Sequence, residues 1–194
     1  RSKKGNAMTR VLTASPSLKW LSAAWTILWK SAAFFILWAI LYAPFVVLLA
    51  PRIENMAGSS PPLLRLYFDF TGAFTILLAA WIMARFVDRR SFATLGFAPG
   101  HIARDILLGV CFGLLWLAFS LAILWLLGSV TLQPSGALDA ATLALAGLAM
   151  IFNTVNQEVL ARSYILQSIR SQTNAFWAIL ISSLIFMLYH AAGF

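Results

Sequence analysis

An all-α bundle of about five membrane-crossing helices is the fold class that the sequence predicts, and three observations predict it. Hydrophobic residues make up 61% of the chain and charged residues 10%, whereas soluble domains carry roughly 25% charged residues. Five apolar stretches approach the roughly 20 residues a helix needs to cross a bilayer. The basic residues fall in short clusters between those stretches, the pattern of cytoplasmic loops in polytopic membrane proteins. A net charge of +8 would also suit a nucleic-acid binder, but such a protein gathers its cations into a patch interleaved with aromatic residues. Membrane lipid is therefore the expected partner, and nucleic acid is not.

Residues 1–30 read as a basic N-terminal segment with an interfacial helix, and 31–194 as the transmembrane helical domain. The stretch LKWLSAAWTILWK, ending at Lys30, carries Lys19 and Lys30 at its ends and three tryptophans between them. That suits a helix at the interface, or a long lead into the first span, with the lysines reaching toward headgroups. The first span is Ser31 to Ala50, with Pro44 as a kink of the kind membrane helices tolerate. PRIENMAGSSPP, Pro51 to Pro62, has the composition of a loop; the second span then runs from about Leu66 to Phe86. VDRRSFATLGFAPGHIAR follows as a basic loop, and a third span covers Asp105 to Leu127. GSVTLQPSGALD turns the chain without a basic residue. A fourth helix starts near Ala140, SQTN at Ser171 to Asn174 marks the next turn, and a fifth apolar run follows.

The tally of Lys and Arg places the N-terminus, the loop after the second span and the Ser171 to Asn174 turn in the cytoplasm. Arg52 and Arg65 on the outer side dissent, partly offset by Glu54 and Asp69. The single cysteine, Cys111, has no intrachain partner and reads as a packing residue. The sequence opens at Arg1 and stops at Phe194 inside an apolar run, so a fragment of a larger domain is expected, with Met8 as a candidate start.

The chemistry concentrates in residues 140–194. The chain has six acidic residues, and Glu158 falls well inside the fourth helix. At about 1.5 Å per residue, Glu158 lies roughly 22 Å from the turn centre, and His190 on the returning helix roughly 26 Å from it. Ionisable groups within the membrane cost several kcal/mol and are functional candidates by default. A carboxylate and an imidazole at one depth can hold and deprotonate a water, with Arg162, one turn from Glu158, orienting the carboxylate. The residues leave a second reading open, in which Glu158 and Arg162 neutralise each other as a structural pair and His190 fills a polar gap. His101 reads as a solvated loop residue, and Asp105 and Asp139 as carboxylates at helix starts.

QEVLAR, Gln157 to Arg162, resembles the E-E-x-x-x-R motif of the CPBP intramembrane proteases, the group of the CAAX prenyl endopeptidases and bacterial self-immunity proteins. FMLYH, Phe186 to His190, matches their F-x-x-x-H motif on the following helix, and DRRSFATLGF, Asp88 to Phe97, is similar to the basic cytoplasmic loop of bacterial members. The resemblance covers Ala73 to Phe194 in order and spacing. It implies an integral protein of a bacterial inner membrane that hydrolyses peptide bonds of membrane-associated peptide or protein substrates. It further implies Glu158 as general base, His190 as water-positioning partner, Arg162 as orienter and Gln157 as a polar residue beside the reacting atoms. Members of the group have been described as metalloproteases, whereas a metal-independent glutamate mechanism is the favoured view; no cofactor is expected and the metal requirement stays open. The sequence departs from the family pattern twice: Gln157 stands where the first glutamate is usual, and the later His and Asn or Asp motif is absent. Gln157 is then a natural variant, the mark of an inactivated homologue, or an engineered change. The rival class is a non-catalytic membrane interaction or immunity-type protein.

Overall fold

The computed structural model describes residues 16–57, 60–97, 100–131 and 139–191. The basic residues before Pro16 and most of the turn after the third span lie outside the described residues. Every regular element described is helical. Four helical stretches, Lys19–Asn55, Pro61–Val87, Ile102–Leu126 and Ala140–Arg170, are long and apolar enough to cross a membrane, and Ala175–Ala191 is a shorter apolar helix. With backbone polar groups satisfied inside each helix, such segments can sit in hydrocarbon. This is an all-α integral membrane protein.

Helix α1, Pro16–Pro44, is continuous across Lys30 and Ser31, so the long lead into the span is the arrangement found. A π-helical segment, Phe45–Leu49, carries it into α2, Ala50–Ala57. Pro44 has no N–H to donate, and in the wider turns that follow it the Ala50 N–H bonds back to Phe45 O. The Phe45 carbonyl also accepts from the Tyr67 hydroxyl at 2.8 Å. The stretch expected as a loop from Pro51 is therefore helical to Ala57; Pro51 falls in the first turn of α2, where proline is tolerated.

Helix α3, Pro61–Ile82, starts with proline at its first positions and ends in a second π-segment, Met83–Val87. A 3₁₀ turn at Phe92–Leu95 leads to α4, Ile102–Leu126. Helix α5, Ala140–Glu158, is capped by Asp139 and passes through a π-segment at Val159–Ile165 into α6, Leu166–Arg170. Asn174 Oδ1 accepts from Trp177 N at 3.1 Å at the start of α7, Ala175–Ala191.

Paired residues fix the helix directions. Asp69 meets Asn153, and Gly72 meets Asn156, so α3 and α5 run parallel. Lys30 meets Asp88 while Phe45 meets Phe74, so α1 runs antiparallel to α3. The core sits where α1, α3 and the π-segment after α5 converge: Phe34, Ile76, Leu160, Tyr164 and Ile165 have no exposed surface. Phe34 and Tyr164 stack with ring centroids 4.9 Å apart. Buried Ala79, Ala80, Ala84 and Ala161 let the backbones approach, the packing on which membrane bundles depend.

Two readings need correction. Lys30 does not reach for headgroups; its ammonium pairs with Asp88, whose side chain is 7% exposed. An anion that close outweighs the snorkelling a lysine would otherwise do. Cys111 packs against nothing described: it lies exposed on α4, a helix with no buried residue. Its apolar surround is all outward-facing surface rather than core.

Candidate functional site

The π-segment begins one residue after Glu158, and such segments often mark functional sites. It widens the helix while keeping Arg162 one turn from Glu158. Arg162 Nη1 reaches both carboxylate oxygens, Oε1 at 3.0 Å and Oε2 at 3.1 Å. Four residues separate the two, the spacing that brings side chains together on one helix face. The pair lies toward the surface, with Arg162 63% and Glu158 44% exposed, and it cancels both charges where lipid would penalise either alone.

Arg162 also links the two helices of the hairpin. Its guanidinium lies over the Phe186 ring, 5.7 Å from the centroid, a cation–π contact. Because the helices are antiparallel there, one turn farther from the hairpin bend brings Glu158 on one helix level with His190 on the other. Their side chains are engaged separately. His190 Nδ1 lies 3.0 Å from Phe186 O on its own helix, and its ring rests against Phe186 at 4.3 Å. Gln157 is half-buried and takes no hydrogen bond among the described residues.

The loop after α3 forms the other wall. Asp88 receives Lys30, and Arg90 Nη2 at 3.1 Å; Arg90 N bonds Ala84 O, and its guanidinium lies 5.7 Å from the Tyr164 ring centroid. Ser91 caps the 3₁₀ turn, and Leu95, 2% exposed, presents its carbonyl to Ser163 Oγ at 3.0 Å. Gly96 then takes φ +102°, a conformation that favours glycine. Phe97 stacks on Phe92 at 4.5 Å.

Gly96 and Phe97 thereby wall a cavity of about 280 Å³ that also has Glu158, Arg162 and Ser163 in its lining. It adjoins a wider cleft of about 670 Å³ where Glu158 and Asp105 share an apolar surround of Phe97, Ile102 and Ile106. His190 lines neither. A carboxylate beside a cavity large enough for a peptide segment, with a guanidinium within hydrogen-bond reach, can bind a carbonyl and take up a proton. Among the described residues no group of three metal-ligating side chains exists.

The sequence reading passed over two features. Asp69 Oδ1 accepts from Asn153 Nδ2 at 3.0 Å in the α3–α5 interface; the spacing of Asp69, Gly72, Asn153 and Asn156 at whole turns was the available signal. The Leu95–Phe97 wall had none, since it depends on residues 68 positions apart in sequence.

Membrane-length helices, buried alanines and a polar hairpin facing a cleft define a polytopic integral membrane protein. Residues 139–194 match the family model described as Type II CAAX prenyl endopeptidase Rce1-like, which bears out the resemblance to the CPBP group over that segment. Neither a curated protein nor a solved structure matches the chain.

Proposed function

We propose that this protein is an intramembrane endopeptidase of the CAAX-protease type, hydrolysing peptide bonds of membrane-associated substrates in a bacterial cytoplasmic membrane with its N-terminus in the cytoplasm. One observation carries the proposal: the hairpin that matches the family also brings Glu158 level with His190 through the Arg162–Phe186 contact. In this reading a water enters between α5 and α7, Glu158 takes its proton, and His190 holds its oxygen toward the scissile carbonyl. Arg162 then turns from Glu158 toward the substrate as the carboxylate becomes neutral, and the half-buried Gln157 amide donates to the developing oxyanion.

A second reading, a non-catalytic interaction protein that keeps the fold, draws on one observation as well: both oxygens of Glu158 are engaged by Arg162. Cleavage of a panel of membrane-anchored peptides in proteoliposomes separates the two. Enzyme activity that falls by about 10²-fold or more in Glu158→Ala and His190→Ala supports the endopeptidase. A protein silent on every peptide, and still silent as Gln157→Glu, leaves the interaction protein.

A further inference from the structure

Asp105 is the carboxylate of the cleft that the chemistry at Glu158 leaves unused. It lies exposed in the first turn of α4, where the helix dipole favours negative charge. The dipole accounts for the residue type but not for what the side chain faces. Ile102, Asp105 and Ile106 share one helix face by their i, i+3, i+4 spacing, and all three line the cleft of about 670 Å³ together with Gly96, Phe97 and Glu158. Arg104, one residue away, is turned by about 100° and lines neither the cleft nor the cavity beside it. Glu158 has both oxygens on Arg162. The Asp105 side chain makes no hydrogen bond or ion pair among the described residues. Glu158, Asp105 and Arg162 are the charged residues lining the two spaces, so negative charge is in excess there, in a chain whose net charge is +8. Phe97, Ile102 and Ile106 keep 39%, 53% and 61% of their surface uncovered beside it.

We propose that Asp105 selects substrates that carry a lysine or arginine next to the apolar segment to be cut. Its carboxylate takes the cationic head, and the hydrocarbon stem lies along Phe97, Ile102 and Ile106, as long basic side chains do on apolar surface. The inference rests on the endopeptidase reading of the Glu158 site and names its substrate class. A bare ion would gain nothing from three apolar walls, and a neutral side chain would leave Asp105 uncompensated beside them. In the proposed orientation α4 starts at the cytoplasmic end, where the spans of membrane substrates are themselves flanked by Lys and Arg. Because Asp105 and Glu158 open on one cleft, holding that cation sets the register of the peptide bond against Glu158. Asp105 meets the substrate's flank and not its reacting atoms, so it acts as a specificity residue.

Binding tests this without requiring turnover. Energy transfer from the protein's tryptophans to dansyl-labelled, tryptophan-free membrane peptides is measured on the purified full chain in nanodiscs of phosphatidylcholine, the peptides differing only in a Lys, Arg, Gln or Glu beside the apolar segment. Lys and Arg peptides are expected to bind about 5-fold more tightly than the Gln peptide, the size of an exposed ion pair, and the Glu peptide more weakly still. Asp105→Asn removes the preference, Asp105→Lys turns it toward the Glu peptide, and Glu54→Gln on α2 retains it. Equal affinities for the Lys and Gln peptides, or a preference that survives Asp105→Asn, would overturn the proposal and leave Asp105 as a complement to the helix dipole. Cleavage of the same peptides is followed in parallel. An Asp105-dependent preference without any cleavage upholds the cation site while removing the endopeptidase reading, and cleavage that is indifferent to the flanking charge does the reverse.

Discussion

Asp88 sits in a stretch that reads as a basic loop, yet its carboxylate answers both Lys30 and Arg90 while only 7% exposed. Removing one partner of a buried ion pair leaves the others unpaired and costs about 3–5 kcal/mol. Asp88→Asn is therefore expected to lower Tm by on the order of 10 °C, read by thermal unfolding in detergent. Arg89→Gly next to it makes the contrast: Arg89 has φ +53°, glycine suits that conformation, and stability should hold or rise. Asp139 offers a pH-dependent case outside the spans. Hydrogen bonds from Thr142 N at 3.0 Å, from Thr142 Oγ1 at 3.0 Å and from Ala141 N at 3.4 Å hold its carboxyl below the usual range. Because the folded value is depressed, the cap contributes fully above the unfolded value and is lost as pH falls through the folded one. Amide exchange at Ala141 and Thr142, corrected for its intrinsic pH dependence, should lose protection only under acid in the wild type and at every pH in Asp139→Ala.

The π-segment at Val159–Ile165 is an element in which one more residue is held per turn than an α-helix accepts. Deleting Ala161 there is expected to fold, because straightening the wide turn absorbs the loss and keeps both flanking helices in register. Deleting Thr154, inside the regular part of α5, rotates half of that helix by about 100° and should unfold the chain. If both deletions give the same Tm, the segment carries no slack. Such a feature was not legible in the sequence: Gln157–Arg162 reads as ordinary helix, and only packing around Leu160, Tyr164 and Ile165, all without exposed surface, calls for the wider turn. The spans themselves were legible because hydrocarbon admits few alternatives, so apolar length alone finds α1, α3, α4 and α5. The motif pairs were legible for a related reason, since i,i+4 spacing is local: Glu158 with Arg162, and Phe186 with His190. Lys30 with Asp88 and Asp69 with Asn153 were not, being 58 and 84 positions apart. Lys30 and Asp69 read as charges near span ends, and only the assembled helices give them partners.

At the scale of the molecule, the helix directions constrain topology independently of any charge count. Parallel α3 and α5, paired through Asp69–Asn153, deliver the loop at Asp88–Phe97 and the turn at Ser171–Asn174 to one end of the bundle. Lys30 joins that end through Asp88, and Arg85, Arg89, Arg104 and Arg170 are exposed in the elements around it. At the opposite end, Arg52 and Glu54 of α2 and Arg65 of α3 are exposed, a smaller net positive charge. Positive charge collects on the cytoplasmic side of polytopic proteins, and the proposed orientation accordingly puts the Asp88 end inside. Single cysteines at Ser91, Gln172 and Glu54 in a Cys111→Ser background test this in intact bacterial cells with a membrane-impermeant maleimide. Ser91→Cys and Gln172→Cys should label only after permeabilisation, and Glu54→Cys before it. Labelling of both inner positions from outside would invert the assignment while keeping the bundle. A split, with one of them reached from outside and the other not, would contradict the parallel α3–α5 pairing itself, and with it the arrangement that sets the Leu95–Phe97 wall against Glu158.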